Sequence, residues 1–434
     1  MSTFNWQNIW YPCSQMKDYE QFIPLKIQRA SGDYIELENG QRIIDAISSW
    51  WCKSLGHNHP RLKQAIKNQI DHFEHVILAN TQHDVITKLS VEIAKLTQHK
   101  LNRVFYAGDG SSAVEIALKM SLHAQQLKGE HQRTRFIALK NGYHGETTGA
   151  MSVSDVGRFK DPYLAILFQT HYIQSFPYIN GRSDPKWFFN DWKELEIELE
   201  PLINNTAAII LEPMIQGAGG MLIYPPNLLV FLRRWCDQHG IYLIADEIMT
   251  GIGRTGKMLA VDHAEITPDF LCLSKGLTSG WMPFSTVSTH QAVFDLFYDD
   301  YKQGKSFLHS HTYSGNALGA SVALACLNII EEEKIAIRAE NLENKLHRLM
   351  NYVADQTNKL TNIRALGAVV AADLIPDSNI DRPAYQIYQK AVEMGALLRP
   401  IGNTLYWLPP LTVADDTLTQ LAAITEKAIT SCLK

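Results

Sequence analysis

Two residues in the middle of the chain have the types and the setting to do chemistry. Residues 241–245 and Phe270–Leu273 are short apolar runs; the first delivers Asp246 and the second delivers Lys275. Runs of this length bounded by polar residues predict buried strands. A carboxylate and an amine at the ends of neighbouring buried strands make a structural ion pair. Equally, they make the two anchors of pyridoxal phosphate, with the lysine as Schiff base and the aspartate on the pyridinium nitrogen. The second reading requires a phosphate site and a group that lies over the ring elsewhere in the chain.

Both have candidates. A short strand at 104–106 runs into Ala107-Gly108-Asp109-Gly110-Ser111-Ser112, and a helix follows with Val114, Ala117, Leu118 and Ser121 on one side. Small residues at a strand-to-helix turn let backbone N–H groups approach an anion. The alternative is a tight turn with serine capping the helix, and the ending of a Walker loop is missing. A strand at 136–139 leads into Asn141-Gly142-Tyr143-His144-Gly145-Glu146-Thr147-Thr148-Gly149. Tyr143, in a loop beyond a strand end, is poorly placed for a core and well placed to cover a flat ligand. Thr312 precedes a helix start and either caps it or donates to a phosphate. Trp50 and Trp51, ahead of GHNHP, are either packing residues or a ligand wall. Arg399 lies in an apolar run, 396–402, read as a strand end: a surface arginine or a bidentate clamp for a carboxylate.

These residues need a scaffold, and the pattern predicts one. Strands at 104–106, 136–139, 207–211, 241–245 and 270–273 alternate with helices, which argues for an α/β fold with a mostly parallel sheet and helices on both faces. The polar clusters follow strand C-termini, where open α/β sheets bind ligands. Pro60 opens a helix with Leu62, Ala65, Ile66, Ile70 and Phe73 on one stripe, and a second helix covers roughly 84–96. Residues 155–200 read as loop-rich. YIELENGQRIIDAI reads as a hairpin around Asn39-Gly40. The charge run 331–333 marks a boundary; beyond it come a helix with Leu342, Leu346, Leu349 and Val353, strands at 364–374 and 395–408 around another helix, and a last helix carrying Leu418, Leu421, Ala428 and Cys432. This is an α+β region that the N-terminal hairpin is a candidate to join. The expected division is 1–55, 56–330 and 331–434.

Composition excludes several classes. Of 434 residues, 46% are hydrophobic and 20% charged, as in a soluble globular protein. A net charge of −5 and the lack of a basic tract give no argument for nucleic acid. No apolar run approaches a membrane span, and the N-terminus has no signal-peptide pattern. Six scattered cysteines show no metal-ligand spacing; the expectation is reduced thiols in a cytoplasmic protein with no metal.

AGDGSSAVEIALK, NGYHGETTGAMSVS, LIADEIMTGIGRTGK, LSKGLTSGWMP and HTYSGNALGA resemble, in that order, the motifs of class III pyridoxal-phosphate aminotransferases. Ser49-Trp50-Trp51 before GHNHP, and Arg399-Pro400 before Leu408-Pro409-Pro410, resemble the branch that aminates 8-amino-7-oxononanoate in biotin biosynthesis, typically from S-adenosylmethionine. The resemblance implies fold type I, with a large cofactor domain, a small domain from both chain ends, and active sites shared across a homodimer. It implies Lys275 as the residue that binds the cofactor aldehyde, Asp246 on the ring nitrogen, Tyr143 by the ring, and Gly110 and Ser111 on the phosphate. It places His311 and Thr312 at the phosphate from the partner subunit, Trp50 and Ser310 on the substrate wall, Arg399 on the substrate carboxylate, and Arg254 near the site. The chain departs from the family's usual HPYTSM at Tyr11-Pro12-Cys13-Ser14-Gln15-Met16, where Cys13 replaces an aromatic, and Ser310 stands where a glycine is usual. The rivals are a class III aminotransferase for ornithine, 4-aminobutyrate or a β-amino acid, an aminomutase, and a non-catalytic protein on the same scaffold.

Overall fold

The structure, a computed structural model, describes residues 8–375 and 380–433. Seven strands form its main sheet: β1 (Arg103–Ala107), β2 (Arg135–Leu139), β3 (Thr170–Ile173), β4 (Thr206–Leu211), β5 (Tyr242–Asp246), β6 (Phe270–Leu273) and β7 (Ser285–Thr289), in the order β1-β7-β6-β5-β4-β2-β3. β7 runs antiparallel to both its neighbours, and the pairs β6–β5, β5–β4, β4–β2 and β2–β3 are parallel. The C-terminal ends of β1, β2, β4, β5 and β6 therefore share one edge of the sheet.

Why the apolar runs become this sheet follows from the period of two. In β4 and β5, Ala208, Ile210 and Ile244 point to a core containing Ala113, Ile116 and Ala117 of α1 (Gly110–Leu127). Ile209, Leu211 and Leu243 point to the other core, with Leu228, Leu232 and Trp235 of α2 (Asn227–His239). Every residue of β4 and β5 is buried, so these strands read as continuous apolar runs rather than as alternation, as strands covered by helices on both faces should. β3 was not expected, because residues 155–200 were read as loop. It is an edge strand, half-buried at three of four positions, and lacks the apolar run that marks a covered strand.

The chain ends fold together. Ile27–Ser31, Tyr34–Leu37 and Arg42–Asp45 form an antiparallel meander, and Ala396–Leu397 adds to it in parallel beside Arg42–Asp45. The N-terminal hairpin turns at Gly40, whose φ of +85° is the left-handed conformation expected of Asn-Gly turns. Leu360–Leu366, Val369–Leu374 and Thr404–Trp407 form a separate antiparallel sheet, against which Ile335–Thr357 packs. The run expected as one strand at 395–408 is thus two, in different sheets, and Arg399 lies in neither. The helix opened by Pro60 ends at Ile70, so Phe73 lies beyond it. Backbone bonds from Leu408 N–H to Ala46 O (2.8 Å) and from Leu411 N–H to Ser54 O (2.9 Å) tie the C-terminal segment to residues 46–54.

Candidate active site

β5 ends on Asp246, which is buried and fixed on both oxygens. The His144 Nδ1–H donates to Oδ2 at 2.7 Å, and the Ile248 N–H donates to Oδ1 at 3.1 Å. His144 is itself held by its N–H, which donates to Ser154 Oγ at 2.8 Å, and its Nε2 is buried without a partner. Lys275 follows β6 with φ +40°. Its Nζ makes no hydrogen bond or ion pair among the described residues, and lies 4.7 Å from the centroid of the Trp51 ring. Burial holds the lysine below its ordinary pKa, against the opposing pull of Asp246, Glu212 and Cys52.

The loop carrying Tyr143 is pinned at four points. The Tyr143 N–H donates to Glu212 Oε2 (2.8 Å), His144 holds Asp246, the Gly149 N–H donates to Glu115 Oε1 (2.6 Å), and Asn141 N–H donates to Asp155 Oδ2 (3.0 Å). The Tyr143 hydroxyl donates to Glu146 at 3.3 Å, and burial raises its pKa, with Glu146 adding to the rise. Glu212, just beyond β4, also accepts the Gly217 N–H at 2.9 Å. Burial pushes its carboxyl up to about 7, with His144 opposing and Asp246 reinforcing.

Beyond β1, α1 is capped by Asp109 and not by serine: Asp109 accepts the Ser112 N–H (2.9 Å) and its hydroxyl (2.8 Å). The N–H groups of Gly110 and Ser111 have no acceptor among the described residues. Gly145, at φ +123°, is pressed so close to Ser111 that an added Cβ would fall 2.1 Å from Ser111 Oγ. An 18-residue helix with two open N–H groups at its start favours an anion there.

Ser48–Trp51 forms a turn in which all four residues have positive φ, from +44° to +77°. None is glycine, and left-handed backbone costs roughly 1–2 kcal/mol per residue. The Trp51 Nε1–H donates to the Tyr406 hydroxyl at 2.9 Å. Trp50 is 42% exposed, and the Arg399 guanidinium lies 4.3 Å from the centroid of its ring. An Arg399 Nη2–H donates to the carbonyl of Cys13 at 2.8 Å, so the residue that departs from the family pattern contacts this arginine. Arg254 is buried, with no carboxylate beside it among the described residues. Its Nη1 donates to Pro409 O (2.7 Å) and Ala368 O (3.3 Å), its Nη2 has no partner, and burial lowers its pKa to about 9.

The structure thus gathers Asp246, Lys275, Tyr143, Gly110 and Ser111 at one sheet edge, with Trp50 and Arg399 stacked together. His311 Nε2 accepts the Gly108 N–H of its own chain at 3.2 Å, beside the phosphate turn. Ser310 and Thr312 are exposed, and the Thr312 carbonyl accepts a bond from His75. His144 and Glu212 were not singled out from sequence. His144 stands in the same glycine-flanked loop as Tyr143, and Glu212 ends a buried strand as Asp246 does; those positions were the available signals. Among the described residues no cluster of His, Cys, Asp and Glu could hold a metal.

These residues fit pyridoxal phosphate. Open N–H groups could receive an anion, a fixed carboxylate and an unpaired amine stand apart at adjacent strand ends, and a tyrosine loop follows β2, two strands from β5 in the same sheet. The chain belongs to the class III aminotransferases, the family model Aminotransferase class-III matching residues 15–429. It is a pyridoxal-phosphate-dependent transaminase with small-molecule substrates. The adenosylmethionine-8-amino-7-oxononanoate aminotransferase of Helicobacter pylori is 38% identical over 98% of this chain and 96% of its own, and that of Synechococcus elongatus is 36% identical over 96% and 97%. The crystal structure of the Methanocaldococcus jannaschii protein of that name matches with a TM-score of 0.89 at 32% identity, covering 99% and 98% of the two chains. An amine transaminase from an uncultivated Pseudomonas species, in its PLP-bound form, matches equally, at 0.90 and 32% over 98% and 99%.

Proposed function

We propose that this enzyme transfers an amino group from S-adenosylmethionine to 8-amino-7-oxononanoate, giving 7,8-diaminononanoate for biotin biosynthesis. One observation carries the choice of acceptor. Consecutive indoles of a single turn face two cations, Trp51 facing Lys275 and Trp50 facing Arg399. A substrate with its reacting carbon near Lys275 and a carboxylate at the end of an apolar chain suits that pair, and the relatives' names support the reading. The amine transaminase shares the fold to the same degree, so the fold does not choose the acceptor; the position of Arg399 is what favours this one.

Pyridoxal phosphate, when bound, supplies an aldehyde that captures a primary amine and a ring that takes up electrons as the α-proton leaves. The chain supplies the rest. The N–H groups of Gly110 and Ser111 would bind the phosphate, with His311 beside the turn. Asp246, held by His144 and Ile248, would keep a proton on the ring nitrogen. Tyr143 would flank the ring. Lys275, its pKa lowered by burial, would be free to take the proton from the donor's α-carbon and return it. Arg254, with its unpartnered Nη2, would bind a second carboxylate in the site.

The same reading takes the active unit as a cytoplasmic homodimer with shared active sites, and the small domain as 1–55 together with 331–434. No helix among the described residues is long and apolar enough to cross a membrane. The deciding experiment is rescue of a biotin auxotroph that lacks this amination, with assays of the purified enzyme on the keto acid. No rescue, together with turnover of 4-aminobutyrate or simple amines, overturns the proposal.

A further inference from the structure

We infer that Asp45 and His57 are positioning residues for the reaction: they hold the left-handed turn Ser48–Trp51, which sets one indole against the reacting lysine and the next against the distal arginine. The inference rests on the roles given above to Lys275 and Arg399.

Four successive residues at φ +50°, +44°, +77° and +70° oppose local preference at every position. Something outside the turn must therefore hold it. Asp45 is fully buried and receives four donors. The Ser49 N–H (2.9 Å) and the Ile47 N–H (3.3 Å) donate to Oδ1, while the Ser49 hydroxyl (2.7 Å) and the His57 Nε2–H (2.7 Å) donate to Oδ2. Burial alone would raise this carboxyl. The bonds from His57 and Ser49 outweigh it and hold the group below its ordinary pKa, so the ionised form organises the turn.

His57 is fixed in its turn. It exchanges two backbone bonds with Gly32 (3.0 and 2.8 Å), and Gly56, at φ +71°, packs where a Cβ would stand 2.9 Å from Gly32 O. The far side of the turn is tied by the Ser48 hydroxyl, which donates to Leu408 O at 2.7 Å, and by Trp51 to Tyr406. Asp45 and His57 bond neither Lys275 nor Arg399. Their influence on the reaction passes through the two indoles, 4.7 Å from Lys275 Nζ and 4.3 Å from the Arg399 guanidinium.

The test uses the holoenzyme with Asp45→Asn, which keeps the shape and removes the charge, alone and combined with Arg399→Ala. Steady-state constants for 8-amino-7-oxononanoate and the near-ultraviolet circular dichroism of the indoles are measured. The expected result is a KM raised on the order of tenfold with kcat changed less, a diminished indole signal, and no further rise in KM when Arg399 is already alanine. A KM effect that persists in full in the Arg399→Ala background, or a lower melting temperature with KM unchanged, assigns Asp45 to structure alone and overturns the inference. If Asp45→Asn does not fold, Ser49→Ala removes one hydroxyl from the same carboxylate and is judged by the same criteria, with about a threefold rise in KM expected. If Arg399→Ala by itself leaves KM unchanged, the clamp assignment fails separately. The indole signal then decides this inference: lost in Asp45→Asn it stands, retained it falls.

Discussion

Asp246 and Lys275 stand at the ends of hydrogen-bonded parallel strands and make no ion pair with each other. At 4 Å, opposite charges attract by about 4 kcal/mol at an effective dielectric of 20. The fold forgoes contact at that distance, although Asp246 still opposes the fall in the lysine's pKa. Asp246 is turned to His144 and Ile248, and Lys275 to the face of Trp51. A structural pair would close up; two anchors for one ring must stay apart.

Each anchor has its own signature. Lys275→Ala is expected to reduce turnover to background, and borohydride should no longer link the cofactor to the chain; normal turnover by this variant would sink the assignment. Asp246→Asn keeps shape but loses charge, and kcat should fall on the order of 10²–10⁴-fold with the cofactor still bound. Absorption spectra and single-turnover rates distinguish the two.

Arg399→Ala removes the clamp and leaves Trp50 in place. The KM for 8-amino-7-oxononanoate should rise about 10–100-fold, the equivalent of about 1.5–3 kcal/mol for a charged hydrogen bond, with kcat changed much less. Arg399→Lys should recover part of this, because an ammonium keeps the charge without the fork. An unchanged KM in the alanine variant would move the clamp elsewhere.

Gly145→Ala tests the phosphate turn without touching a hydrogen-bonding group. The new Cβ meets Ser111 Oγ at 2.1 Å, at a φ of +123° that alanine disfavours. Strain of about 1–3 kcal/mol at this position should weaken cofactor affinity by roughly tenfold or more. Equilibrium titration of the cofactor-free variant measures it, and a wild-type affinity would argue that the phosphate binds away from Ser111.

Glu212 gives a pH dependence. Its carboxyl sits at about 7 in the folded chain against an ordinary 4.5. Between these values the native state holds a proton that the unfolded chain has released, so this contribution to stability declines as pH rises through that window. Glu212→Gln has no such titration. The urea midpoint of the cofactor-free variant, relative to wild type, should therefore move in the variant's favour from pH 4.5 to 8. A constant difference across that range would show that Glu212 does not titrate there.

How much could be read beforehand differs from one residue to the next, and for physical reasons. Asp246 and Lys275 were legible because strands covered on both faces must be apolar, which makes the polar residue at each end conspicuous. Tyr143 and the Gly110-Ser111 turn were legible because glycines around a polar residue mark backbone close to something. The left-handed turn at Ser48–Trp51 was not, since no local preference favours it and its support comes from Asp45, His57, Tyr406 and Leu408. Arg399 stood out by its type, but the strand expected around it is absent: Ala396–Leu397 ends before it, and the arginine rests on Trp50 and the Cys13 carbonyl, both more than 340 positions earlier in the chain. The half-exposed edge strand β3 escaped because four residues, three of them only half-buried, carry no apolar run.

The bonds that join Ala46 to Leu408 and Ser54 to Leu411 set an order of events during synthesis. At about 5–20 residues per second, the ribosome takes roughly 20–70 s to make the segment between them. For that interval Trp50 and Trp51 have been made together with Asp45 and His57, while Tyr406 and Leu408, which tie the far side of the turn, have not. The sheet edge with Asp246 and Lys275 leaves the ribosome before Arg399 and Tyr406, so a nascent chain has the ends of both strands before the two indoles gain their partners on the C-terminal side.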